Sequence, residues 1–215
     1  MSFITFRRHY LDKLLFETPF YGKVLDVGGK KDNKRGTFRP PIKSVVSWEY
    51  LNIDKETNPD YCCSADAIPL EDGYFDMILL AEVIEHLENP TSVLKESYRV
   101  LHSEGSLVAT IPFLNGIHAD PYDFQRWTDV KIRLELEKIG FNDISIKPMG
   151  SLFAVMYDLV YASLTLSSKN AQSFRNRVIR KIILPPISRL FLLLDRHYLY
   201  KSKNITTGYY IEAKK

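Results

Sequence analysis

Cysteine is nearly absent from this chain. The only two, Cys62 and Cys63, are neighbours among 215 residues. In an extended segment their side chains point to opposite faces, so an ordinary disulfide between them is strained. That pattern excludes a disulfide-stapled scaffold and is expected of reduced, buried thiols in a cytoplasmic protein. Long apolar runs are missing too. MGSLFAVMYDLVYASLTL comes nearest to the roughly 18–20 uncharged residues of a membrane span, but Asp158 interrupts it, so a spanning protein is not expected. The opening MSFITFRRHYLDKLLF carries charge throughout and lacks the apolar core and cleavage site of a secretory leader; it reads as an amphipathic first helix. An excess of one charge is also lacking. Lys and Arg number 29 against 26 Asp and Glu, a formal net charge of +3 that calls for no nucleic-acid partner. Glycine, finally, is short where a nucleotide loop needs it. VLDVGG runs on into KKDNKRG without Gly-x-Gly-x-x-Gly, and no Tyr-x-x-x-Lys pair is evident nearby, which counts against a nicotinamide-dependent sugar enzyme.

What the chain does have is hydrophobic content of 45%, enough at this length for one sizeable core. Short apolar runs recur through the first two thirds: KVLDVGG, WEYLNID, YCCSAD, FDMILLAEV, GSLVATIPF and NDISIKPM. Each has the length and composition of a strand covered on both faces. Helical patterns lie between them. NPTSVLKESYRVLHSEG places Val93, Leu94, Ser97, Val100 and Leu101 near the helical period, with Gly105 beyond as a stop; TDVKIRLELEKIGF runs from a Thr128 cap to Gly140. Strands alternating with helices predict an α/β protein with an open, doubly wound, mostly parallel sheet.

Such sheets bind ligands at the carboxyl ends of their strands, and those ends are unusually polar here. Asp26, Gly28 and Gly29 follow the first run, Asp54 ends the second, Asp66 ends the third, and Glu82, Glu85 and His86 follow the fourth. A carboxylate at the end of the second strand can hold the two hydroxyls of a ribose in bidentate fashion. It can equally cap a turn, and Asp66 carries the same two readings. Glu82, Glu85 and His86 invite a metal, but a site needs three ligands with at least one from elsewhere. The helical start of EVIEHLENP explains these residues more simply, so no metal is expected.

The order VLDVGG, NID, SADAIPLEDGYFDMILLAEVIEHLENP, LKESYRVLHSEGSLVATIPF, spanning roughly residues 20–150, resembles the class I S-adenosylmethionine-dependent methyltransferases, in particular their type-11-like branch. The resemblance implies a Rossmann-like seven-stranded sheet whose last strand, here GYYIEAKK, runs antiparallel. It implies one methyltransferase domain over residues 1–215. It further implies that Asp26, Gly28 and Gly29 border the methionyl part of S-adenosylmethionine, that Asp54 holds the ribose, that Asp66 and Ala67 meet the adenine, and that Glu82 lies beside the cofactor. This chain departs from the family's alternating glycines at Gly29, Lys30 and Asp32. Chemistry softens the departure: a pyrophosphate needs several backbone amides at close range, whereas S-adenosylmethionine carries no phosphate and is met by one close approach and nearby acids. Lys30, Lys31, Lys34 and Arg35 read either as a solvated surface or as an attractor of anionic substrate.

HADPYDFQRWT, residues 118–128, follows the fifth strand and combines a potential base with acids, an arginine and aromatics. It is similar to a segment of methyltransferases associated with bacterial surface-glycan biosynthesis. On that reading His118 is the general base for a hydroxyl acceptor, since imidazole titrates near neutrality, with Asp120 or Asp123 to orient it; Tyr122, Arg126 and Trp127 contact the substrate. The alternative is a rigid loop in which Arg126 pairs with Asp123 and the aromatics pack. Residues 151–204 exceed the usual connection length and are expected to form a helical insertion. RVIRKIILPPISRLFLLLDRHYLY mixes Arg177, Arg180, Lys181 and Arg189 with an apolar face, which suits core closure, a dimer interface, or peripheral contact with the inner membrane through residues 151–200. Pro185 and Pro186 are expected to separate two helical pieces.

Together these features predict a cytoplasmic enzyme that moves a methyl group from S-adenosylmethionine to a small or glycan-linked hydroxyl, a sugar in surface polysaccharide biosynthesis. A noncatalytic binding module of the same fold is the rival, and the broken glycine pattern is its support.

Overall fold

The computed structural model describes residues 5–32, 36–118, 121–165, 178–198 and 204–215. Asp120, Lys34, Arg35 and Arg177 lie outside them. The order is α1 (Phe6–Glu17), β1 (Lys23–Val27), β2 (Ser47–Leu51), β3 (Phe75–Ala81), α2 (Pro90–Val100), β4 (Leu101–Pro112), α3 (Asp129–Ile139), β5 (Asn142–Pro148), α4 (Leu152–Thr165), α5 (Leu184–Tyr198) and β6 (Gly208–Lys214). Short 3-10 turns, Lys55–Thr57 and Ile84–His86, follow β2 and β3. The strands form one sheet in the order β2-β1-β3-β4-β6-β5. β1 to β4 are mutually parallel, and β6 is antiparallel to both β4 and β5. This is the doubly wound Rossmann-like arrangement, with the late strand reversed as expected.

The sheet has six strands rather than seven. The run YCCSAD contributes only one parallel bridge, Leu51 to Tyr61. Its chain turns away almost at once: the Ser64 hydroxyl donates to Asp66 Oδ1 at 2.5 Å and the Ala67 N–H closes a turn onto the Ser64 carbonyl at 3.2 Å. Cys62 is therefore exposed and Cys63 half-buried, not the buried pair expected of a full strand. Between β1 and β2, no described residue is helical, in keeping with Pro40 and Pro41.

Alternation along the strands sends successive side chains to opposite layers. Leu25, Val27, Ile78, Leu80, Leu107 and Ile211 pack against Val93, Leu94, Ile132 and Leu136 of α2 and α3. Val24, Met77, Leu79, Val108 and Tyr210 face Phe6, Tyr10, Leu11 and Leu15 of α1, with Ala154, Tyr157 and Leu184 of α4 and α5. Thr128 caps α3 by accepting from the Lys131 N–H, and Gly140, at φ 118°, ends it in the left-handed region. Pro185 and Pro186 do not break the last helix. They occupy its first turn, where no N–H is needed, and a π-helical turn, Ile179–Ile183, leads straight into them. No helix among the described residues is long and apolar enough to cross a membrane. Leu190 and Leu193 are nonetheless exposed on α5.

Two buried carboxylates fasten this helical layer. Asp158 of α4 accepts the Phe6 N–H at 2.7 Å and the Arg7 N–H at 3.0 Å, satisfying the first orphan amides of α1. Asp195 of α5 accepts from the Tyr10 hydroxyl at 2.6 Å, from the Ser151 N–H and hydroxyl at 3.0 and 2.5 Å, and from the Ala154 N–H at 2.8 Å. Burial pushes Asp158 up from an ordinary 3.8 to about 6, against the opposing pull of its backbone donors and Arg7. An acid raised in the folded state stabilises most below its unfolded pKa and loses that contribution as pH rises through the folded one. Relative to wild type, Asp158→Asn, with no charge to bury, is expected to gain on the order of 2–3 kcal/mol in denaturant stability between about pH 4 and pH 7. A stability difference that stays flat across that range contradicts the assignment.

Candidate active site

Where β1, β2 and β3 end, the sheet opens into a cleft of about 860 Å³ lined by Asp26, Gly28, Gly29, Asn52, Asp54, Glu82, His86 and His118, with Arg7 and Leu11 of α1 above. Ends of parallel strands on either side of a reversal in strand order form such crevices by topology; here β1 is flanked by β2 and β3.

The loop after β1 is shaped by Asp26. Its carboxylate is buried, accepts from the Trp48 indole N–H at 3.3 Å, and lies over the next turn. A Cβ on Gly29 would stand 2.4 Å from its Cγ. Gly28 has φ 74°, and a Cβ there would stand 2.9 Å from Val83. Both glycines therefore answer to the backbone path and to Asp26. Asn52, after β2, fixes the loop from the other side, its amide donating to the Gly28 and Gly29 carbonyls at 3.2 and 3.1 Å.

Asp54 lines the cleft and also caps the first 3-10 turn, Oδ1 accepting from the Glu56 N–H at 3.0 Å. Asp66 and Ala67 are exposed on the turn just past the cleft wall, which Cys63, Ser64 and Ala65 form. Lys31 pairs with Asp60 at 2.6 Å, a surface ion pair. Glu82 sits at φ 59°, a conformation rare without glycine. Its N–H and Oε1 meet the Thr110 hydroxyl at 3.0 and 3.2 Å, and Arg7 reaches it from α1 as a close ion pair. Desolvation lowers the Arg7 guanidinium to about 10, still fully charged at neutral pH.

The segment after β4 folds back onto the turn after β3. The Phe124 N–H donates to the Glu85 carbonyl at 2.8 Å, and the Gln125 amide donates to the Leu87 carbonyl at 2.7 Å. That docking brings His118 against His86, their rings edge-on with centroids 5.5 Å apart. Asp123 is the internal strut of the loop: it accepts the His118 backbone N–H at 2.9 Å and is gripped by both terminal nitrogens of Arg126. The guanidinium hydrogen bonds hold its acid at about 2. Asp123 thus fixes the backbone beside His118, its carboxylate 3.6 Å from Nδ1. Burial lowers the His118 pKa, so the ring is neutral at physiological pH.

Two residues expected at the substrate stand elsewhere. Trp127 is buried in the core with Ile132 and Leu136, its indole donating to Gln125 Oε1 at 2.7 Å, because the α3 cap turns it under the helix. Arg126 is committed to Asp123, as the rigid-loop reading required. Tyr122 is exposed and offers its backbone carbonyl to His86 Nδ1 at 2.5 Å. Arg7 and Asn52 went unrecognised in the sequence, and Glu85 was set aside there as part of a helix start. Asn52 could have been found beside Asp54 in NID; nothing local marks Arg7, which reaches the cleft only through the packing of α1.

Residues 46–109 match a family model described as a methyltransferase domain. Among solved structures, the chain resembles a SAM dependent methyltransferase from Archaeoglobus fulgidus, at 16% identity and TM-score 0.57, over 97% of this chain and 94% of that one. The cyclase SpnF matches at 16% identity and TM-score 0.57, over 95% and 80%. Phosphoethanolamine N-methyltransferase 2 of Haemonchus contortus, solved with S-adenosyl-L-methionine, matches at 13% identity and TM-score 0.54, over 100% of this chain and 54% of that one. No curated protein matches the chain. The fold is that of the class I methyltransferases.

The Asp26–Gly29 contact is testable on its own. Gly29→Ala is expected to push the Asp26 carboxylate from the Trp48 indole, moving that N–H resonance while the Trp127 indole stays in place; an unmoved Trp48 signal refutes the contact.

Proposed function

We propose that this chain is an S-adenosylmethionine-dependent methyltransferase whose acceptor is a hydroxyl of a small molecule or glycan, a sugar in surface polysaccharide assembly. The observation that carries the reading is the cleft at the ends of β1–β3, with acids on its cofactor side and a neutral imidazole, His118, on the other. The methyltransferase-domain match over residues 46–109 supports it, as does a fold shared with enzymes of that class. Asp26 and Gly28 border the methionyl end, Asp54 takes the ribose hydroxyls, and the wall at Ser64–Ala65 meets the adenine.

Transfer is an in-line displacement. The acceptor oxygen forms a bond to the methyl carbon, the carbon–sulfur bond breaks with its electron pair going to sulfur, and the hydroxyl proton departs. The sulfonium leaves readily, so holding both partners in line supplies much of the rate. His118 assists the loss of the proton, the remaining chemical demand. A noncatalytic module is favoured by one feature, the Arg7–Glu82 pair across the cleft, which an entering cofactor has to displace or share.

Calorimetry separates these readings. S-adenosylmethionine and S-adenosylhomocysteine are expected to bind and NAD to give no heat; no binding of S-adenosylhomocysteine at millimolar concentration makes the module the better account. Asp54→Ala is expected to weaken both ligands by about tenfold, the worth of roughly one charge-assisted hydrogen bond. His118→Ala is expected to slow methyl transfer at least about a hundredfold with cofactor affinity kept, and unchanged turnover removes it from the reaction.

A further inference from the structure

We propose that Glu85, His86 and His118 bind a divalent transition-metal ion on the acceptor side of the cleft. Their ligand atoms all lie within 4.8 Å of one another. Glu85 Oε1 is 3.7 Å from His86 Nε2 and 3.8 Å from His118 Nε2. These separations are too long for hydrogen bonds. They are within a few tenths of an ångström of the spacing of two ligands that each sit about 2.0–2.2 Å from one ion. The group from elsewhere in the chain that Glu85 and His86 lacked in the sequence is supplied by the loop after β4.

The proton positions point the same way. His86 Nδ1 lies 2.5 Å from the Tyr122 carbonyl, which can only accept, so Nδ1 carries a proton and Nε2 is the nitrogen left to bind an ion. His118 Nδ1 faces the Gly116 carbonyl at 3.2 Å and the Asp123 carboxylate at 3.6 Å, with the Asn115 amide at 3.4 Å. The closer contact is to an acceptor, the Gly116 carbonyl, which draws a proton to Nδ1 and turns Nε2 toward Glu85; the Asn115 amide, a donor, is the more distant of the two. Backbone carbonyls holding the far nitrogen of each imidazole are what fixes ligand tautomers in metal sites. Glu85 completes the set. Its side chain is 0% exposed, and neither oxygen has a hydrogen-bond partner. A bare carboxylate in that position is costly unless a cation meets it. The nearest guanidiniums each pair with another acid, Arg7 with Glu82 and Arg126 with Asp123, and neither hydrogen-bonds to Glu85. Three ligand atoms thus converge, and no hydrogen bond joins any of them to another.

Two imidazoles and one carboxylate suit zinc, manganese, iron, cobalt or nickel rather than calcium or magnesium, which take oxygen ligands. His86 and His118 line the cleft, so the remaining positions open toward the acceptor. Here the inference rests on the methyltransferase reading: a hydroxyl bound at an open position loses its proton to water more readily, and the resulting oxygen attacks the methyl carbon as the carbon–sulfur bond breaks. His118 then assists through the ion it holds.

The test uses metal alone. The full chain, stripped with a chelator, is titrated with Co²⁺ by absorbance and with Zn²⁺ by calorimetry. One ion per chain is expected, with visible Co²⁺ bands, and at least about a hundredfold weaker binding in Glu85→Gln and in His86→Ala, since each removes one of only three protein ligands. His102→Ala, at an exposed histidine remote from the cluster, is expected to bind as wild type. Binding that survives in Glu85→Gln and His86→Ala, or fails in wild type, overturns the site; if one variant does not fold, the other decides. S-adenosylhomocysteine binding, measured on the same samples, separates the two ideas. Nucleoside without metal sinks only the ion, and metal without nucleoside sinks only the methyltransferase reading.

Discussion

The cleft depends on how α1 is held over the sheet, and that rests on the buried carboxylates of Asp158 and Asp195. A helix start deprived of partners for its N–H groups is expensive to bury. Asp158 removes that expense for Phe6 and Arg7, while Asp195 ties Tyr10 to Ser151 and Ala154. With α1 fixed at both points, Phe6 stacks on Tyr157 at 4.4 Å between ring centroids and Arg7 is carried to Glu82. The two acids sit on the helices that the sequence marked as an insertion. Those helices are therefore structural supports of the site, whatever their outer face meets.

Much of the fold was legible because its signals are local. A Thr cap three residues before Lys131 and a glycine at the end of α3 depend on neighbours in sequence, and so do the apolar runs of β1, β3 and β4. The third strand misled because YCCSAD has strand composition while its fate is decided by Ser64 and Asp66 closing a turn. The prolines of α5 misled for a related reason: their effect depends on whether they fall inside a helix or in its first turn, which a pattern does not reveal.

The site was legible in part. Acids at strand ends follow from topology, so Asp26, Asp54 and Glu82 could be placed around one cleft before any coordinates. Within HADPYDFQRWT the sequence offered a rigid loop and a substrate loop, and the structure divides the residues between them. Asp123, Arg126 and Trp127 hold the loop, and His118 is what it presents. The meeting of His118 with Glu85 and His86 needs two loops after different strands to dock through backbone hydrogen bonds, and backbone contacts leave no mark on composition.

The sheet order carries a further consequence, for how the molecule is made. β5 pairs only with β6, and β6 also completes the exposed edge of β4. As the chain leaves the ribosome, β4 and β5 emerge first and stand apart until residues 208–214 arrive to join them. Through that interval the nascent protein displays the open edge of β4, an apolar strand, the kind of surface most prone to pair with a stranger. Its window of vulnerability to misassembly, and its call on chaperones, are set by the time needed to translate the helical segment lying between.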